Sequence, residues 1–283
     1  MRFAKAYVEI TNICNRNCSF CPKTKRKPAQ MTPEQFAIIA EKLRPVTDYL
    51  YLHLMGEPLL HPQLQTLLEI ARTLGFRVIL TTNGTLLGKA QPVLLAAPAL
   101  HKVNISLHSF EANEAGEFSA YLQDCISFAR LAAAQRILIN FRLWNLDGTE
   151  TTGRNTQNEA ILAALHAAFP EDWSASRSGM RMTDRVYLSY GETFSWPSME
   201  ERDRGETRFC YGLKDQIGVL ADGTVVPCCL DHEGDIPLGN LLQQDIEQIL
   251  NAPRTGAMID GFRQNRAVEP LCRRCGYSTR FLK

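Results

Sequence analysis

The sequence predicts an α/β fold, a partial (β/α)6 barrel followed by a small C-terminal α+β appendage. Three observations carry this prediction. Six short apolar runs alternate with five longer helical patterns, as parallel strands joined by right-handed crossovers require. One face of most of these runs is repeatedly polar. The cysteines gather in two groups, one directly after the first run and one near the C-terminus.

In chain order the strand-like runs are AKAYVEIT (4–11), YLYLHLM (49–55), FRVILTTN (76–83), HKVNISLH (101–108), RILINFRL (136–143) and RVYLSY (185–190). Helical patterns fill 32–44, 62–74, 85–97, 114–134 and 156–168. The first helix has the clearest start: Thr32 is a capping residue, Pro33 suits the first helical position, and Glu34 puts an acid in the first turn.

Side chains on a strand alternate between faces, so each run can be split into two sets. Leu50, Leu52 and Leu54 oppose Tyr51, His53 and Met55; Val103, Ile105 and Leu107 oppose Asn104, Ser106 and His108. Ile139 and Phe141 oppose Asn140 and Arg142, and Val186 and Leu188 oppose Tyr187 and Ser189. Helices on both faces would make the strands almost continuously apolar. The polar set instead suits a wide barrel whose lumen holds a ligand, with a flat doubly wound sheet as the competing fold.

Composition bounds the function. The chain has 283 residues, 45% hydrophobic and 22% charged, with a formal net charge of +1, so no chain-wide attraction to duplex nucleic acid or anionic membrane is expected. No run approaches the roughly 18 apolar residues of a membrane span, and the N-terminus lacks the pattern of a signal peptide. A cytoplasmic location is expected. In a reducing compartment, nine cysteines point to metal ligands or reactive thiols rather than disulfides.

Cys14, Cys18 and Cys21 follow the first strand, so they fall on a loop at the C-terminal end of the strands, where barrel active sites lie. Their C-x-x-x-C-x-x-C spacing allows three thiolates to hold three corners of a cuboidal iron–sulfur cluster and leave one iron open. A zinc site is the alternative, but it needs a fourth protein ligand or a catalytic water.

The stretch CNRNCSFC, so placed, resembles the signature of the radical S-adenosylmethionine (radical SAM) superfamily. The resemblance covers about residues 4 to 190. It implies that the open iron chelates the methionine part of S-adenosylmethionine and that electron transfer from a flavodoxin- or ferredoxin-type donor yields a 5′-deoxyadenosyl radical. MGEPLLHP (55–62) resembles the second-strand Gly-Gly-Glu-Pro motif, with Met55 in place of the first glycine. The resemblance implies that Gly56 and Glu57 lie at the cofactor, Glu57 accepting from the methionine ammonium. It also implies that Phe20 lies beside the adenine and that Ser106 and Arg142 hold the ribose and carboxylate. Arg142 as a lumenal ion-pair partner of Glu9 is the competing reading. An iron–sulfur electron carrier without catalysis leaves Glu57 and the polar lumen unexplained.

The second group is Cys210, Cys228, Cys272 and Cys275, in the pattern C-x12-G-x4-C, a gap, then C-x-x-C. Asp222-Gly223 marks a hairpin between them. A hairpin and a terminal turn can bring four thiolates together, enough for a cluster or a tetrahedral zinc. The pattern resembles the twitch appendage, a shortened SPASM domain, and implies one auxiliary 4Fe-4S cluster. Cys229 points the opposite way from Cys228 on a strand and is expected to be a spare. Cys125 is expected to pack in the core. The expected division is a barrel over 1–190, a linker over 191–208 and the cluster domain over 209–283.

The substrate is expected to be polar and phosphorylated. Lys23, Lys25, Arg26 and Lys27 follow the cluster loop, with Arg142, Arg181 and Arg185 expected nearby, and such cations suit an anion. His53, Asn83, His108, Asn140 and Tyr187 join Lys25 and Arg26 as candidate substrate contacts. The leading candidate reaction is that of the queuine-salvage lyase on queuosine monophosphate, followed by an aminocyclitol-type dehydrogenase. A SPASM-type maturase acting on a ribosomally made peptide or protein is the alternative, disfavoured because the first strand opens the chain without room for a leader-binding domain. The sequence names no acid, base or hydrogen donor.

Overall fold

The computed structural model describes residues 1–112, 118–146, 157–177 and 179–281. Strands and helices alternate as β1 (Lys5–Val8), α1 (Pro33–Leu43), β2 (Tyr49–Tyr51), α2 (Leu64–Thr73), β3 (Arg77–Thr82), α3 (Leu87–Leu95), β4 (Leu100–Ser106), α4 (Phe118–Ala134), β5 (Leu138–Leu146) and α5 (Asn158–Ala168). A short hairpin, β6 (Ser174–Ser176) and β7 (Gly179–Thr183), leads to β8 (Val186–Glu192). The six strands β1, β2, β3, β4, β5 and β8 are neighbours in that order and all parallel, which gives the six-stranded β/α unit read from the sequence.

One face of this sheet is the apolar core. Ala6, Val8, Leu50, Leu52, Val103, Ile105, Ile139 and Phe141 are buried with Phe36 and Ile39 of α1 and Phe128 of α4. Helix α1 starts where predicted, because Thr32 accepts from the Gln35 N–H while the Gln35 side chain accepts from the Thr32 N–H. The expected helix at 114–134 begins outside the described residues and is α4 from Phe118.

Two features differ from expectation. The run at 49–55 stays in the sheet only to Tyr51, because the chain turns at His53, whose N–H bonds the Tyr51 carbonyl. The β6–β7 hairpin adds two antiparallel strands at the β8 edge; its polar residues carry no strand pattern.

From Glu192 to Gln216 the chain has turns and isolated bridges but no regular strand or helix. The appendage follows: β9 (Gln216–Val219), β10 (Thr224–Val226), β11 (Gly239–Asn240), α6 (Ile246–Leu250), α7 (Pro253–Arg263) and α8 (Pro270–Arg273). It does not form a sheet of its own. Strand β9 pairs in parallel with β1 over Lys5 to Val8, so the barrel sheet continues into the appendage as one eleven-stranded sheet. No helix among the described residues is long and apolar enough to cross a membrane.

Candidate active site

The loop carrying Cys14, Cys18 and Cys21 leaves β1 and is pinched at its base. The Asn12 amide donates to the Lys27 carbonyl at 2.9 Å and accepts from the Ala29 N–H at 2.8 Å, while Thr11 bridges to Gln30. The span from 12 to 29 is thus a closed loop at the C-terminal end of the strands. Cys14 is exposed, Cys18 buried and Cys21 half-buried. Burial pushes the Cys18 thiol up to about 11, and Cys21 adds to the rise.

The loop bearing Gly56 and Glu57 is docked against this one. The Glu57 N–H donates to the Ile13 carbonyl at 2.8 Å. Gly56 has φ +75°, and a Cβ there would lie 2.4 Å from the Thr11 carbonyl oxygen, so only glycine allows the approach. The Glu57 carboxylate is 1% exposed and accepts from the N–H groups of Leu59 and Asn83 at 3.1 and 2.8 Å. Burial pushes it up to about 7 despite these donors. Asn83 completes the seam by donating to Asn15 of the cysteine loop at 2.9 Å. Phe20 lies against His108, ring centroids 4.7 Å apart, and Ser106 pairs with Arg142 across β4 and β5.

The sheet's second face holds two layers. Near the strand middles Thr81, Asn104, Asn140 and Ser189 form a ladder in which Asn104 donates to Thr81, and Asn140 to both Asn104 and Ser189. Asn140 therefore spends its donors on its neighbours. Tyr187 is half-buried on β8, in register with Asn140. The other layer is aromatic and cationic: Tyr7 lies 4.9 Å from Tyr51 and 5.3 Å from His53, and Lys5 reaches over both tyrosines. Arg142 lies 4.4 Å over Trp144. Its Nε is sealed from solvent without a hydrogen-bond partner, and so is Nδ1 of His53. The groups that favour the Arg142 charge are Tyr7, Tyr51, Tyr277 and Cys229, none a carboxylate, and burial lowers the guanidinium to about 10.

Several expected roles are redistributed. Glu9 is not the partner of Arg142: its fully buried carboxylate lies 2.7 Å from Arg26 and accepts from the N–H groups of Met55 and Ala221. Arg26, spent on Glu9 and the His232 carbonyl, is not a free anion contact. Lys25 lies in solvent opposite Glu200, and Lys23 bonds the Cys18 carbonyl. Arg181 and Arg185 pair with Asp184 before the start of β8, at the opposite end of the strands from the cysteine loop. His108 Nδ1 lies 3.1 Å from the Arg142 carbonyl. Sequence reading missed Lys5, Tyr7 and Trp144, though the period of two from Glu9 and Arg142 places all three on the lumenal face.

Cys210, Cys228, Cys272 and Cys275 line one apolar cavity with Ile236, Phe262 and Leu271. The Gly212 N–H donates to Cys210 Sγ at 3.2 Å. Burial and mutual repulsion raise the thiols, with Cys210 at about 11. Among the described residues no three Cys, His, Asp or Glu side chains converge on a single ion. A tetrahedral zinc with Zn–S of about 2.3 Å would hold its sulfurs within about 4 Å of one another. A four-iron cluster separates its ligands by its own width, so it does not require such close convergence. Cys125 is buried against Gly84 and Tyr121, as its helix pattern predicts.

A parallel β/α unit with a three-thiol loop at its mouth and a second four-thiol cavity defines an iron–sulfur barrel enzyme. The comparisons narrow this: residues 8–137 match the Radical SAM superfamily and 210–276 match an iron-sulfur cluster-binding domain, SPASM. The chain thus carries a radical SAM domain followed by a C-terminal iron–sulfur cluster-binding domain. It is 24% identical to a GTP 3′,8-cyclase of Microcystis aeruginosa, covering 84% of this chain and 85% of that one. It is also 24% identical to a PqqA peptide cyclase of Streptomyces rochei, over 95% and 80% of the two chains. The fold resembles that of BtrN in complex with AdoMet and 2-DOIA, with a TM-score of 0.63 and 19% identity, over 97% of this chain and 93% of that one. Its cofactors are S-adenosylmethionine and 4Fe-4S clusters, which together supply a 5′-deoxyadenosyl radical. In this chain Cys14, Cys18 and Cys21 would hold the first cluster, and the four cavity cysteines the auxiliary one.

Proposed function

We propose that the chain abstracts hydrogen from an anionic, phosphorylated small molecule or nucleoside held in the barrel lumen. The observation that carries this reading is Arg142. Its Nε is sealed without a hydrogen-bond partner while the side chain as a whole is half-buried, it shares the lumen with Lys5 and Lys102, and Glu9, the carboxylate that follows β1, is already neutralised by Arg26. A buried cation without an anion is costly, so a bound anion is the natural complement. The anion contact thus moves from the exposed loop lysines to the lumen. Arg142 and Ser106 reach either the S-adenosylmethionine carboxylate or the substrate, with His53, Lys5, Tyr7 and Tyr187 lining the remaining space.

Similarity to a GTP cyclase supports a phosphorylated nucleotide class. Queuosine monophosphate, cleaved by a lyase reaction, stays the leading specific candidate, and an aminocyclitol oxidised by a dehydrogenase reaction the next. The second reading, a peptide maturase, is supported by the similarity to the PqqA peptide cyclase, which covers 95% of the chain.

The test uses anaerobically reconstituted protein, a reduced flavodoxin and S-adenosylmethionine, with 5′-deoxyadenosine as the readout. Queuosine monophosphate, unphosphorylated queuosine, aminocyclitols and precursor peptides are added one by one. A phosphorylated nucleoside should raise the rate above that with S-adenosylmethionine alone, and its unphosphorylated form should do so less. Stimulation by a peptide with no response to any phosphorylated compound would replace this reading with the maturase.

A further inference from the structure

Cys228 and Cys229 are consecutive, yet their thiols face different compartments. Cys228 lines the auxiliary cavity, and Cys229 does not. Cys229 packs with Tyr7, Leu54, Leu220 and Val226 on the lumenal side of the sheet. Its thiol lies 4.0 Å from Gln216 Oε1. The same compartment contains the two sealed, unpartnered nitrogens, Arg142 Nε and His53 Nδ1. A thiol outside the cavity lining thus faces a polar space that can hold a ligand.

We propose that Cys229 is the hydrogen-atom donor to a carbon radical formed in the lumen. The inference rests on the lumen being the reaction space. The chemistry follows from bond strengths: a thiol S–H is weaker than an aliphatic C–H, so transfer from sulfur to carbon runs downhill, whereas transfer from a serine O–H does not. The S–H bond breaks homolytically, a C–H bond forms on the substrate radical, and the unpaired electron stays on sulfur. One electron from the flavodoxin- or ferredoxin-class donor and one proton from solvent restore the thiol. The carbon attacked therefore receives a solvent-derived hydrogen and the substrate itself is neither oxidised nor reduced, which is compatible with a lyase but not with the dehydrogenase candidate.

The test needs no substrate. Wild-type, Cys229→Ser, Cys228→Ser and Tyr7→Phe proteins are reconstituted, freed of added thiols, and turned over with S-adenosylmethionine and titanium(III) citrate in deuterium oxide. Iron per chain and deuterium in 5′-deoxyadenosine are measured. An exchangeable thiol facing the radical gives singly deuterated product in the wild type. Cys229→Ser should keep its iron and lose the label at least tenfold, while Cys228→Ser should lose iron. Tyr7→Phe should keep iron and most of the label. The proposal is overturned by an unlabelled wild-type product, by a label that survives in Cys229→Ser, by loss of iron in Cys229→Ser, or by loss of label in Tyr7→Phe alone. Because S-adenosylmethionine is the only probe, an error in the anionic-substrate reading leaves the outcome unchanged.

Discussion

The Arg26 guanidinium lies 2.7 Å from the Glu9 carboxylate, joining the end of the cysteine loop to the C-terminal end of β1. Glu9 also accepts from Met55 and Ala221, and Arg26 donates to the His232 carbonyl, so this pair ties the cysteine loop, the Gly56 loop and the appendage together. Removing one partner leaves a buried charge alone. Arg26→Ala should cost about 3–5 kcal/mol of stability, read by denaturant unfolding, and should lower cluster occupancy. Lys25→Ala, at an exposed ion pair, should change stability by less than about 1 kcal/mol. Equal effects in the two variants would contradict the arrangement.

Iron content separates the two thiol sets. Reconstituted protein should hold about eight irons per chain, the sum of two four-iron clusters. Replacing Cys14, Cys18 and Cys21 together by alanine should remove about half of it. Replacing Cys210 or Cys272 should lower both iron and thermal stability, because metal binding and folding of a small appendage are coupled. Full iron in the triple variant would refute the assignment of the first loop.

Gly56→Ala tests the docking of the two loops. The new Cβ would lie 2.4 Å from the Thr11 carbonyl oxygen in a backbone with φ +75°, so the loop must shift. The backbone strain alone is worth roughly 1–3 kcal/mol. S-adenosylmethionine affinity, measured by equilibrium dialysis, should fall at least tenfold. Unchanged affinity and stability would show that the loop position has no bearing on the cofactor.

Arg142→Met should separate stability from function. The substitution removes a half-buried charge with no carboxylate partner while keeping an apolar side chain against Trp144, so the ligand-free thermal midpoint should stay level or rise by a few degrees. Substrate-dependent formation of 5′-deoxyadenosine should fall more than a hundredfold. A large drop in midpoint would mean that the guanidinium is a structural group.

Acid should weaken the fold through the buried imidazole of His108 and the half-buried one of His53, whose Nδ1 is sealed. Burial, aided by Arg142, lowers His53 from 6.5 to about 3 and His108 to about 4, so both are neutral when folded. The unfolded chain takes up their protons first as pH falls. Their contribution is intact above pH 6.5 and is lost between there and pH 3–4, at about 1.4 kcal/mol per pH unit and group. His53→Gln should flatten the melting-temperature profile between pH 6.5 and 4. A slope equal to that of the wild type would contradict the burial of its ring nitrogen.

Local periodicity determined the parallel unit. The alternation of leucines with Tyr51 and His53, and of Val103 and Ile105 with Asn104, already assigned the core and lumenal faces, because a strand's side-chain period is two whatever surrounds it. The Cys14, Cys18 and Cys21 spacing likewise placed the first cluster loop, since all three lie within one closed loop.

Tertiary structure decided which charges are free and which thiol faces which compartment. The basic run looked like an anion site until Glu9, 17 residues away in sequence, took Arg26. The competing pairing of Arg142 with Glu9 fails because Arg26 holds Glu9. Cys229 comes beside Tyr7 because β9, far along the chain, pairs with β1 and β10 folds back on β9 just before it. Periodicity reports the face of one element and nothing about its neighbours, whereas the state of a buried charge or thiol is set by groups within a few ångströms that the chain delivers from distant positions.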